Sequence, residues 1–333
     1  MKKIINDPAN VAREALQGLG EAHADLLTVH FDPNYVTRAG GPEAGKVAVV
    51  SGGGSGHEPL AGGYVGEGIL HAAVPGAVFT SPTPDQILDA TKAADAGAGV
   101  VHLVLNYTGD ILNFETAAEL AEAEDIKVVP VILDDDVAVK DSTYTAGRRG
   151  VAGAIPWYKI TGASAARGDD LDTVVEISRR VVAGVRTMGM ALTACTVPHS
   201  GEPSFVLADD EMEIGIGVHG EPGRERVKLT SADEIVATLL GSVVEDLPFT
   251  EGDKTLLFVN GMGGTPSVEL YLAYHSARAY LAERGIEVTR SLVGNYFTSL
   301  EMQGMSITLL KLDDELTELW DAPVHTPALR WGR

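Results

Sequence analysis

Cysteine is almost missing: Cys195 is the single one in 333 residues. This excludes an intrachain disulfide and agrees with a reducing compartment. Cations are scarce too, with 25 Lys and Arg against 47 Asp and Glu and a formal charge of −22. Such a chain repels the phosphate backbone and anionic bilayers, which argues against nucleic acid and membrane as partners. No stretch approaches the roughly 18 to 20 uninterrupted apolar residues of a membrane span. Asp7 breaks the N-terminal segment before any signal core forms, so the expected location is cytoplasmic. The acidic residues are spread along the chain rather than gathered in a tail, as in a solvated acidic surface.

What is present is an alternation of strands and helices. Asp7-Pro8 has the form of an N-cap with proline in the first turn, opening a helix through "ANVAREALQGLGEAH". Lys46–Val50 has the apolar run of a buried strand, and the next helix opens at the prolines of "SPTPDQILDATKAADAG". Val100–Leu105 is a strand, 115–124 a helix, and "IKVVPVILDDD" a strand ending in aspartates. Helices between strands imply parallel pairing with right-handed crossovers, and ligands then sit at the carboxyl ends of the strands. From about residue 155 the chain is expected to be helical through "GDDLDTVVEISRRVVAGVRTMG". Strands "ALTACTV" and "MEIGIGVHG", helix "SADEIVATLLGSVVED", strand "TLLFVNG", helix "SVELYLAYHSARAYLAERG" and strands "EVTRSLVGN" and "SITLLKL" follow. The fold class is α/β. Two α/β domains are expected, residues 1–185 and 186–333, each with a mixed or largely parallel sheet flanked by helices.

Chemistry gathers in two glycine-histidine clusters. "SGGGSGH", Ser51 to His57, follows the first buried strand. It lacks the G-x-G-x-x-G spacing of a dinucleotide loop, the Gly-Lys-Ser/Thr of a Walker loop and the G-x-S-x-G of a nucleophile elbow. What remains is a turn whose backbone amides can approach a ligand, with an imidazole at its edge. A plain tight turn is the alternative. "NYTGD" places Asp110 at a strand end, as a partner for a histidine or as a structural turn residue. "GIGVHGEPG" ends an apolar run at His219, where a neutral imidazole can attack a carbonyl carbon. A structural or metal-oriented role is the alternative, although no H-x-x-x-H or H-E-x-x-H pair is present. "DDDVAVKD" could hold magnesium or be a solvated strand end.

Together "SGGGSGHEP", "FTSPTPDQI", "NYTGDILNFETA", "DDDVAVKDSTYTAGRRGVAG", "HGEPG" and the ending "SITLLKLDDE…LWDAPVHTPALRWG" resemble the dihydroxyacetone-binding DhaK subunit of dihydroxyacetone kinases, along the whole chain. The resemblance implies that His219 captures the substrate carbonyl as a hemiaminal. His57 would be the general base toward the substrate hydroxyl, Asp110 its carboxylate neighbour, and Gly54, Ser55 and Gly56 the loop lining the substrate. Covalent capture separates a ketone from glycerol, which has no carbonyl to offer. It also implies a homodimer and no cofactor on this chain. ADP or ATP with magnesium is expected on a DhaL-type partner, recharged by a DhaM-type phosphotransferase protein. One position departs from the resemblance: Leu105 stands where the family commonly has lysine. Two alternatives therefore stay open, a kinase subunit for another small ketose such as erythrulose and a DhaK-like ligand-sensing coactivator.

Overall fold

A computed structural model describes residues 2–140, 142 and 145–332. Asp7 accepts a hydrogen bond from the Ala9 amide, and the short turn it caps leads into α1 (Val11–Ala22). A first sheet is then laid down by β1 (Leu27–His30), β2 (Tyr35–Arg38), β3 (Ala48–Ser55), β4 (Ala72–Val78), β5 (Val100–Leu105) and β6 (Val128–Leu133). Its order is β1-β2-β4-β3-β5-β6. The segment β4-β3-β5-β6 is parallel, and the β1-β2 hairpin joins it antiparallel. The crossovers are made by α2 (Pro84–Ala94), entered by a Thr83–Gln86 capping box, and α3 (Thr108–Glu122).

Two helices, α4 (Ala154–Arg167) and α5 (Leu171–Gly184), lead to the second sheet. Every residue of α4 from Ala154 to Ala165 is buried, which suits a helix with no polar face. Even Lys159 is enclosed there, its ammonium donating to the Leu319 carbonyl at 2.7 Å. The second sheet comprises β7 (Val185–Ala191), β8 (Glu211–Ile214), β9 (Glu225–Lys228), β10 (Lys254–Gly261), β11 (Glu287–Gly294) and β12 (Gly304–Lys311). Its order is β11-β10-β12-β7-β8-β9, with β10 and β11 parallel and the other pairs antiparallel. Helices α6 (Ala232–Asp246) and α7 (Ser267–Ala282) belong to this half. After α8 (Asp314–Asp321) the chain forms a small hairpin, β13 (Val324–His325) and β14 (Arg330–Trp331). That hairpin returns to the first half, where the His325 amide donates to Glu67 O at 3.0 Å. The main core joins both sheets, with Val49 and Leu103 from the first, Trp157 and Tyr158 from α4, and Leu256 and Phe258 from the second. Among the described residues no helix is long and apolar enough to cross a membrane.

The α/β class and mixed sheets are as expected, but several elements differ. β3 does not end before the glycine cluster; it runs through Gly52–Gly54 to Ser55, paired with β4. A side chain on Gly52 would meet Val74 O at 2.6 Å, so the strand needs glycine for close backbone approach. The helix expected to run to Gly189 stops at Gly184, and β7 takes over at Val185. Met188 and Met190 explain this, because the segment pairs with β12 and buries both side chains. "ALTACTV" is irregular after Ala191, and "MEIGIGVHG" is extended only to Ile214. Asp135 and Asp136 are not a solvated strand end but are fully buried.

Candidate functional site

Carboxyl ends of the parallel strands face loops from the second sheet, and the two histidine clusters meet there. His57 directly follows β3. Its Nδ1 lies 2.8 Å from the Thr298 carbonyl, an acceptor only, so Nδ1 carries the proton. The loop between β11 and β12 that supplies this carbonyl is tied down by Leu300 N donating to Gly56 O and by the Ser299 hydroxyl donating to Val218 O. His219 lies in a turn held by Gly217 N donating to Glu221 O at 3.1 Å. Its Nδ1 donates to Glu221 Oε1 at 2.9 Å, and its amide to Glu221 Oε2 at 2.8 Å.

Both Nδ1 protons being committed, the two rings face each other through Nε2, 3.1 Å apart. Two lone pairs at that distance repel, so the contact is favourable only with one proton between them. Burial, and next the charge of His219, depress the His57 pKa to about 3. Glu221 is buried, yet the His219 hydrogen bond and charge together with Arg149 hold its pKa at about 2 against that burial. It is therefore an anion beside the His219 ring at neutral pH.

Aromatic rings wall the pair. Phe79 stacks on His57 at 4.9 Å and meets His219 edge-on at 5.0 Å, Phe297 meets His57 edge-on at 5.5 Å, and Tyr107 meets His219 edge-on at 5.0 Å. The glycines of the first cluster make room for this wall. A Cβ on Gly54 would stand 2.7 Å from Thr80 N, and one on Gly56 2.8 Å from the Phe79 ring. Gly56 also has φ +103°, outside the ordinary range of other residues. Ser55 is turned away, its hydroxyl donating to Gly76 O at 2.7 Å.

Asp110 sits in the first turn of α3 rather than at the strand end itself. Burial raises its pKa to about 6, against the Ser81 hydroxyl and the His219 imidazole, which lower it. Its Oδ1 is buried and has no hydrogen-bond partner, as does the Tyr107 hydroxyl. Leu105 ends β5 inside the main core, so no cation is supplied from that position. Asp135 accepts from the Val151 and Gly153 amides, and Asp136 pairs with Arg149, leaving neither carboxylate free for magnesium. Among the described residues no group of three His, Cys, Asp or Glu could hold a metal ion.

Sequence reasoning missed Thr298, Glu221, Tyr107 and Arg149. A carboxylate two residues after His219 was a visible signal for Glu221. Nothing local pointed to Thr298, which is 241 positions from His57.

Fold and site thus define an α/β protein with an imidazole pair, one ring backed by a carboxylate, lying between two mixed sheets. The Dak1 domain matches residues 17–328. Over its full length and that of the relative, the chain is 51% identical to "PEP-dependent dihydroxyacetone kinase, dihydroxyacetone-binding subunit DhaK" of Escherichia coli strain K12. Among solved structures it is similar to "Dihydroxyacetone kinase operon co-activator Dha-DhaQ", with a TM-score of 0.88 and 33% identity over 95% of this chain and 96% of that one. It is also similar to the dihydroxyacetone kinase of C. freundii in complex with AMP-PNP and Mg2+, with a TM-score of 0.89 and 31% identity over 99% of this chain and 61% of that one. The chain belongs to the Dak1 family, among the DhaK-type chains of dihydroxyacetone kinases.

Proposed function

We propose that this protein is the dihydroxyacetone-binding subunit of a dihydroxyacetone kinase, holding its substrate as a hemiaminal on His219. The observation that carries the reading is the facing of His57 and His219 through Nε2, with both Nδ1 atoms committed. An Nε2 lone pair on His219 forms a bond to the ketone carbon. The proton held on His219 Nε2 between the two rings passes to the carbonyl oxygen, where the π pair becomes the O–H bond, and its departure frees the lone pair that bonds to carbon. The positive ring that results keeps its Nδ1–H on the Glu221 carboxylate. His57 is left neutral, with a free Nε2 beside the captured substrate.

Phosphoryl transfer then needs a hydroxyl proton removed and a donor in line. His57 takes that proton at its free Nε2 as general base, and Asp110 is the carboxylate neighbour that receives it. Asp110, at about 6, is the stronger base of the two, and its unpartnered Oδ1 is free to accept. ADP or ATP with magnesium belongs to a DhaL-type subunit recharged by a DhaM-type protein, and this chain works as a homodimer. The E. coli relative, matched from end to end, supports the assignment as a binding subunit. Leu105 leaves room for a related ketose such as erythrulose. The test is intact mass spectrometry with dihydroxyacetone and borohydride-free buffer, followed by turnover with and without an added DhaL subunit. An adduct together with partner-dependent phosphorylation is expected; no adduct on the wild-type protein overturns capture.

A second reading, a ligand-sensing coactivator, is favoured by the likeness to the DhaQ structure. It predicts an adduct but no phosphorylation with any DhaL-type subunit.

A further inference from the structure

One buried cation behind His219 has no part in the chemistry so far. Arg149 has a fully buried side chain. Its Nε donates to Asp136 Oδ2 at 2.7 Å and its Nη2 to Gly215 O at 2.7 Å. Nη1, equally buried, has no hydrogen-bond partner. A Cβ on Gly217 would lie 2.5 Å from that Nη1 and 2.0 Å from Glu221 Oε2. Only the bare backbone of a glycine can run in this slot between guanidinium and carboxylate. Asp136 anchors one side of the fork, so the remaining nitrogen is presented toward Glu221.

We propose that Arg149 is a positioning residue for ketone capture, acting on His219 through Glu221. The inference rests on the capture reading above. A carboxylate buried beside a neutral imidazole tends to take up a proton unless a cation compensates it. Were Glu221 protonated, its hydroxyl would donate to His219 Nδ1, and the ring proton would move to Nε2. The nucleophilic lone pair would then be lost from the site. Arg149, together with the His219 hydrogen bond and charge, keeps Glu221 an acceptor, which holds one ring proton on Nδ1 and leaves the lone pair on Nε2 once the shared proton has passed to the carbonyl oxygen. During bond formation the ring becomes positive, and the ionised Glu221 stabilises it. No atom of Arg149 enters the bond-making step.

The charged and titratable groups around Glu221 are His219 in its own turn, Arg149 and Asp136 from the segments after β6, Tyr107 before α3, and His57 after β3. Asp136 is paired to Arg149, and Tyr107 stays neutral because burial raises it well above its ordinary value. The guanidinium is thus the one permanent cation in this group.

The test uses dihydroxyacetone labelled with carbon-13 at the carbonyl, whose hemiaminal and free ketone signals are resolved by NMR. The adduct equilibrium constant of Arg149→Met is expected to fall below wild type as pH is lowered from 7 to 5, at least tenfold at the acid end, recovering as pH is raised and Glu221 ionises. Arg149→Lys, which keeps the charge, should stay within about threefold of wild type. A structural role alone would give a loss independent of pH and shared by both variants. Wild-type adduct levels with an unchanged pH profile in Arg149→Met would overturn the inference while leaving capture intact. Absence of an adduct on the wild-type protein would instead overturn capture. If Arg149→Met does not fold, the wild-type protein labelled at glutamate Cδ decides. Glu221 should show no titration between pH 8 and 5, and a titration in that window overturns the proposal.

Discussion

His57 and His219, 162 positions apart, present the same nitrogen to each other, Nε2 to Nε2 at 3.1 Å. Each ring is locked in that role by its other nitrogen, one on the Thr298 carbonyl and one on the Glu221 carboxylate. The pair therefore shares one proton between two Nε2 atoms, the arrangement on which the proposed ketone capture rests.

His219→Ala should abolish the mass increase expected on incubation with dihydroxyacetone. The side chain is partly exposed and lies in a turn held by backbone and Glu221 hydrogen bonds, so the fold should survive. An adduct persisting in this variant would remove His219 from its assigned role.

His57→Asn keeps a group that can donate to Thr298 O but removes the imidazole lone pair. With a DhaL-type partner supplied, turnover should fall by roughly 10²-fold or more. Steady-state kinetics showing unchanged kcat would refute any proton-transfer part for His57.

Asp110 gives a prediction with a definite sign. Its folded pKa of about 6 lies above the ordinary 3.8, so the folded state binds the proton more tightly than the unfolded one. Its contribution to stability is fully present below pH 4 and is lost as pH rises through 6. Asp110→Asn should therefore stabilise the protein at pH 7, by an amount on the order of 3 kcal/mol at most, while reducing turnover. Urea denaturation at pH 7 and pH 4 checks this: the gain should shrink toward zero at the lower pH.

Gly54→Ala should destabilise by about 1 to 3 kcal/mol, because its methyl would meet the Thr80 amide and the Phe79 backbone. Gly40→Ala, with open space at the same construction, should change stability by less than about 0.5 kcal/mol. Equal urea midpoints for the two variants would show that the β4 loop can move aside.

Legibility followed the strength of local signals. Val100–Leu105 has a continuous apolar run and coincides with β5, which pairs with β6 residue for residue. The helix expected over "SADEIVATLLGSVVED" is α6, and the structure closes its start with a Ser231–Glu234 capping box. β1 and β9 are short, partly exposed edge strands and β2 is a four-residue strand beside β1, and none carries a comparable pattern. The end of α5 was misjudged because "VRTMG" continues an apolar helical rhythm, and only pairing with β12 makes it a strand. At the site, each histidine stood out by its glycines, but their contact did not. It depends on the loop after β11 and the turn after β8 reaching the same strand ends, a tertiary relation with no local signature.

The sequence separation of the two imidazoles also has a meaning in time. A ribosome delivers His57 long before His219, and Thr298 later still. Until that last loop is made, the first imidazole has no carbonyl to fix its proton and no second ring to face. A growing or truncated chain thus carries ordinary histidines, and the carbonyl capture we propose would arise only in the finished fold. For the proposed nucleophile, late assembly would itself be a form of protection in a metabolite-rich setting.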